Sequence, residues 1–173
     1  PPTDGEIRFK GQRIHLRGPQ EARALGIETV YQDLALIPRM SIARNFYLGR
    51  EHVRKIGPFP VLDRKAMSAG ATDALREIGI HVRNPDEPVG SLSGGERQSI
   101  AIGRAVYFGS QVLILDEPTS ALSIGETRKV LGYISTARER GLSVIFITHN
   151  ISHVFEVADR ITILSHGAKV GDF

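Results

Sequence analysis

The stretch VLILDEPTSALS, residues 112–123, opens on four consecutive apolar residues and then turns abruptly acidic at Asp116 and Glu117. A short all-apolar run bounded by turn residues predicts a strand buried on both faces, the usual environment of a parallel sheet. VIFITHN, residues 144–150, repeats the design, an apolar strand with His149 at its tip. Helical patterns lie around these two runs. One starts at GSLSGGERQ (90–98) and reaches about residue 108, a second covers 124–140 and stops at Gly141, and a third lies near 152–158. A further strand is predicted over 160–164. This alternation predicts an α/β fold with a mainly parallel sheet flanked by helices.

The N-terminal half is less regular. Ile7 and Phe9, then Ile14 and Leu16, alternate around Lys10-Gly11, which predicts a hairpin. A short helix is predicted over 18–26, with Pro19 at its start and Gly26 at its end. IETVYQ (27–32) predicts a short strand running into a loop. Pro38, Gly57, Pro58 and Pro60 punctuate the next stretch around a helix at 42–48. Residues 63–78 predict a longer helix, with Asp63 as N-cap and Gly79 as stop.

The chain has 173 residues, 41% of them hydrophobic and 24% charged, which suits one ordinary globular domain with a real core. A net charge of +3 gives no ground for a nucleic-acid partner. Cysteine is absent, which excludes a disulfide framework or a thiolate metal site and fits a reducing compartment. No apolar run approaches the roughly 20 residues that span a bilayer, so any membrane link runs through a partner.

Four stretches carry chemistry. Ligands in open parallel sheets bind beyond the carboxyl ends of strands. Asp116 there can hold a magnesium ion, and Glu117 can orient or deprotonate a water. The same run also reads as a buried strand ending in a solvated turn. His149 at the tip of a second strand makes a shared site, or stands alone as a structural histidine. Gln32, just after a strand, can ligate a metal through its carbonyl or remain an exposed loop residue. In GSLSGGERQ, Ser93 and Glu96 match the S-x-x-E capping box, which is a sufficient reason for them by itself. Gly94 and Gly95 are not explained by a cap, since a helix-interior glycine costs roughly 1 kcal/mol relative to alanine. They leave backbone N–H groups open to close approach, and the helix dipole then favours an anion such as phosphate.

In this order the pieces resemble the ATP-binding-cassette (ABC) ATPases. LSGGERQ looks like the signature motif, VLILDEP the Walker B segment, SALS the D-loop, THN the H-loop and VYQDLAL the Q-loop. The resemblance covers essentially the whole chain and implies a P-loop NTPase-like ABC ATPase domain. It implies a hairpin, helix and strand over 1–32, a helical subdomain over 33–92, and the signature helix, Walker B, D-loop, H-loop and C-terminal strands over 93–173. VYQDLALIPRMSIARNFYLGRE and the segment from Thr148 to Phe173 look like the ATPase subunits of bacterial monosaccharide importers. By resemblance the ligands are ATP and Mg²⁺. Asp116 supports the metal shell, Glu117 is the general base, and His149 contacts the γ-phosphate. Gln32 links the metal site to the transmembrane permease. Ser93, Gly94, Gly95 and Glu96 form the signature, whose Ser93 and Gly95 bind the γ-phosphate of ATP held by a second ATPase subunit in a head-to-tail dimer. A periplasmic sugar-binding protein takes part indirectly, and the motor sits peripherally on the cytoplasmic face of the inner membrane.

Two departures qualify the resemblance. No G-x-x-x-x-G-K-[ST] occurs among the 173 residues. In the family that loop cradles the phosphates and precedes the region that opens here as PPTDGEIRFKG. The resemblance therefore implies a chain that begins after the loop, stops short of the usual end, binds ATP negligibly alone and leaves strand edges exposed. The D-loop ends in Ser123 where the family usually has Asp, which places intersubunit coupling in question. The readings are then part of an importer's ATPase, a non-catalytic module that completes a partner's ATP site, or a non-transport ABC ATPase.

Overall fold

A computed structural model describes residues 3–173. Strands β1 (Ile7–Phe9) and β2 (Gln12–Ile14) pair antiparallel as a hairpin. Lys10 and Gly11 both take positive φ, the backbone that a two-residue turn between twisted strands demands. Helix α1 (Pro19–Ala24) starts on proline, whose missing N–H costs nothing at that position. Strand β3 (Ile27–Val30) follows.

Helix α2 (Ile42–Phe46) is capped by Ser41. The loop before it is held by Asn45, which is fully buried. Its Oδ1 accepts from Ile37 N–H at 2.7 Å, and its Nδ2 donates to the carbonyls of Ile37, Met40 and Ser41 at 3.1 Å each. A buried amide with its donors and acceptor all matched fixes a loop that has no ladder of its own. Strands β4 (Val53–Ile56) and β5 (Phe59–Leu62) then form a hairpin where the sequence predicts only punctuation. Pro60 can lie in β5 because the two strands pair only with each other and leave outer edges that need no donor. Helix α3 (Arg64–Glu77) begins on Asp63, which accepts from Ala66 N–H at 3.0 Å.

Helix α4 (Gly94–Tyr107), strand β6 (Val112–Asp116), helix α5 (Ile124–Glu139), strand β7 (Ser143–Ile147) and helix α6 (Ile151–Val157) follow the expected alternation. The parallel sheet has the order β3-β6-β7, with Val30 opposite Leu115 and Asp116 opposite Ile147. The last predicted strand, β8 (Thr162–Ser165), does not join this sheet. It pairs antiparallel with β9 (Ala168–Asp172), tied by an Arg160–Asp172 ion pair and by Thr162 Oγ1 donating to Asp172 at 2.9 Å.

The core has two lobes, and α4 is the wedge between them. One lobe joins α2, α3 and α4 through Phe46, Tyr47, Met67, Leu75 and Ile100. The other packs Ile102 of α4 and Val130, Leu131 and Ile134 of α5 onto Val30, Leu113 and Leu115. Gly103 allows the first contact, because a Cβ there would lie 2.5 Å from Leu75 Cδ2. The expectation of a sheet buried on both faces is not met among the described residues. Leu113 and Leu115 face the helices, but Ile145 and Ile147 on the opposite face are 50% and 47% exposed. Helices α4 and α5 cover one face only, so the all-apolar runs leave a partly open second face.

Candidate functional site

The carboxyl ends of β6 and β7 converge on a cleft. Glu117 follows β6 with φ +47, a left-handed backbone that a non-glycine residue adopts only when its surroundings compel it. Its N–H donates to Ile147 O at 2.9 Å, and the Ser120 N–H and hydroxyl both return to its carbonyl. The side chain thereby points at the end of β7. Glu117 Oε1 accepts from His149 N–H at 3.0 Å and meets His149 Nδ1 at 2.8 Å, while Oε2 accepts from Thr148 Oγ1 at 3.2 Å. A carboxylate offers about four acceptor positions, so these three contacts leave room for a water. Glu117 is 21% exposed in its side chain and His149 is 82% exposed. The Glu117 carboxylate is sheltered and the His149 imidazole faces outward.

A second layer fixes these two. Asn150 caps α6 by accepting from Ser152 N–H at 3.1 Å, which sets its amide orientation. Its Nδ2 then donates to His153 Nε2 at 3.2 Å, and His153 Nδ1–H donates to Thr119 Oγ1 at 3.0 Å. His153 thus ties the turn after β6 to the loop after β7. Sequence reasoning missed Thr119, Thr148 and His153, since single hydroxyls and a helix histidine carry no spacing signal.

Asp116 ends β6, half-buried, and its carboxylate accepts no hydrogen bond from the described residues. The register Val30–Leu115 brings the chain after β3 to the same end of the sheet, where Gln32 is exposed. Among the described residues no three His, Cys, Asp or Glu side chains gather to cage a metal. A carboxylate that no described residue engages could serve Mg²⁺, which keeps several waters and takes one or two protein oxygens.

The helix start predicted from GSLSGGERQ lies elsewhere. Ser93 caps α4 by accepting from Glu96 N–H at 3.2 Å, and Glu96 Oε2 accepts from Ser93 N–H at 2.8 Å. Ser93, Gly95 and Glu96 line a cleft with Glu126, Lys129 and Tyr133. Glu117, His149, Thr119 and Arg128 line another. The first turn of α5 separates the two. The helix start is also less bare than the sequence suggests, because Gly95 N–H donates to Glu126 Oε1 at 3.1 Å. The signal for Glu126 was a second S-x-x-E, from Ser123 to Glu126, which forms its own capping box at α5.

With this geometry in hand, comparison with known proteins decides the family. The family described as "ABC transporter" matches residues 1–120. The chain belongs to the ABC transporter family. The cassette is 51% identical to the fructose import ATP-binding protein FrcA of Rhizobium meliloti, over 98% of this chain and 66% of that protein. It is 44% identical to the xylose/arabinose import ATP-binding protein XylG of Sulfolobus acidocaldarius, over 96% of this chain and 64% of that protein. The cassette therefore spans just under two thirds of the length of these relatives. Among solved structures, the dimeric cassette MJ0796 bound to ADP and phosphate superposes with a TM-score of 0.77 at 24% identity, covering 99% of this chain and 74% of that one. A nucleotide-free ABC cassette superposes with a TM-score of 0.82 at 18% identity, covering 98% and 69%. At these identities the likeness establishes the fold, that of an ABC ATPase cassette.

Proposed function

We propose that this cassette is the motor part of an importer that hydrolyses ATP to drive a sugar across the membrane. The observation that carries the reading is the division of the chemistry between two clefts. Glu117 and His149 line one cleft at the strand ends, next to Asp116 in sequence, while Ser93 and Gly95 line another on the far side of α5. A single cassette cannot close both around one nucleotide. Two cassettes placed head to tail can, each giving its acids to one phosphate and its helix start to the other. The fructose, xylose/arabinose and ribose import names of the similar proteins support the sugar class.

In this reading Glu117 takes a proton from a water as the water oxygen attacks the γ-phosphorus, and the bond to the bridging oxygen breaks to leave ADP and phosphate. Thr148 and the His149 N–H hold the carboxylate in line, and the exposed His149 ring contacts the γ-phosphate. A magnesium ion beside Asp116 would offset charge on the phosphate oxygens, with Gln32 as its link to a membrane permease. Ser93 and Gly95 give N–H and O–H donors to the partner's γ-phosphate, with Gly94 and Glu96 shaping the turn. Among the described residues no helix is long and apolar enough to cross a membrane. The cassette then works peripherally, on the inner face, against permease subunits that a periplasmic sugar-binding protein loads.

Calorimetric titration with Mg-ATP tests this. The whole protein is expected to bind with micromolar affinity. The 173 residues alone contain no G-x-x-x-x-G-K-[ST] and are expected to give no measurable heat of binding. A whole protein indifferent to Mg-ATP would overturn the motor reading. Tight binding by the 173 residues would overturn the division of labour.

A further inference from the structure

A carboxylate already rests on the start of α4. Glu126 Oε1 accepts from Gly95 N–H at 3.1 Å, and its Oε2 accepts from Ser123 N–H at 3.1 Å and from Ser123 Oγ at 2.9 Å. The fit is close. A Cβ on Gly95 would stand 2.7 Å from both Cβ and Cγ of Glu126 and 2.9 Å from its Cδ. Gly95 is therefore required to be glycine by Glu126, before any ligand is considered. The donors of Ser123 above all, then the Ser93 hydroxyl and the Gly95 N–H, hold the Glu126 carboxyl down at about 2, so it stays charged throughout the physiological range.

We propose that Glu126 is an internal anion that occupies the phosphate position on Gly95 and must swing away before a second subunit's nucleotide can dock there. The inference rests on the reading of Ser93 and Gly95 as phosphate donors. One N–H carries one hydrogen and cannot serve a carboxylate and a phosphate at full strength together. The two anions also repel at contact distance. The departure at the D-loop acquires a physical meaning here. The carboxylate absent at Ser123 stands three residues on, one helical turn along α5, where it reaches the neighbouring helix start. Glu126 thus sets a threshold. It keeps the signature occupied when nucleotide is scarce and raises the nucleotide concentration at which two cassettes pair.

The test uses the whole protein carrying Glu117→Gln, so that triphosphate persists, and follows pairing of subunits by sedimentation as Mg-ATP is raised. Glu126→Gln removes the charge but keeps a capping box, since S-x-x-Q also forms one, and its melting temperature is expected to match the parent. Glu126→Ala frees Gly95 altogether. Both are expected to lower the Mg-ATP concentration at half-maximal pairing about tenfold, the scale of one charge-assisted hydrogen bond. An unchanged or raised midpoint in both, with Ser93→Ala still abolishing pairing, would overturn the role of Glu126 and leave the signature reading standing. Pairing that ignores Ser93→Ala would overturn the signature reading itself, and this inference with it.

Discussion

Glu117→Gln in the whole protein is expected to cut ATP turnover roughly a hundred- to ten-thousand-fold, the usual worth of a positioned general base. Mg-ATP affinity is expected to stay within a few-fold of the parent. Glutamine is nearly isosteric, and its carbonyl oxygen can still accept from the His149 N–H, which lies 3.0 Å from Oε1. The left-handed backbone at 117 and the Ile147 contact involve only main-chain atoms and survive the change. What disappears is the capacity to take a proton from water. Single-turnover measurement of phosphate release, beside equilibrium nucleotide binding, separates the two quantities. Turnover within a few-fold of the parent would show that Glu117 is only an anchor for the loop after β7.

The second large effect is on stability. Phe46→Ala is expected to cost about 3–5 kcal/mol, the range for emptying a buried aromatic site, and to lower the melting midpoint by roughly 10 °C. Phe46 is 0% exposed. Its ring lies 5.2 Å from those of Tyr47 and Tyr107 and 5.6 Å from Phe108, so one side chain joins α2 to the C-terminal end of α4. These neighbours are themselves locked, Tyr47 at 5.7 Å from Phe108 and Arg50 stacked 4.5 Å over the Phe108 ring, so the cavity cannot collapse. Thermal unfolding by circular dichroism measures the loss. A shift below about 2 °C would mean that the aromatic cluster does not support α4.

Much of this was legible in the residues. The runs 112–115 and 144–147 announced parallel strands, and Gly26, Gly79 and Gly141 marked helix ends, each with positive φ. The capping box at Ser93 was readable because its two side chains recur three residues apart. Long-range consequences were not readable. Nothing in VRKIGPFPVL tells whether Pro58 and Pro60 break a strand or sit on a hairpin with free edges, and the structure places them on the hairpin. The periodicity of VIFI is the same whether one face of β7 or both are covered. Gly95 offered a local reason, a phosphate, while its packing against Glu126 lies 31 residues away in the chain. His153 reaches Thr119 only because two loops meet at the end of the sheet.

The measurement that bears most directly on the paired-cassette account is a mixing experiment. Whole protein carrying Ser93→Ala and whole protein carrying Glu117→Gln are each assayed for ATP turnover, then combined and assayed again. If each site draws its base from one subunit and its helix start from the other, a mixed pair contains one site with both parts intact. Turnover well above that of either variant alone is the predicted result. No recovery on mixing, with the two variants shown to pair with each other, would contradict the account by showing that Ser93 and Glu117 serve the same subunit's nucleotide.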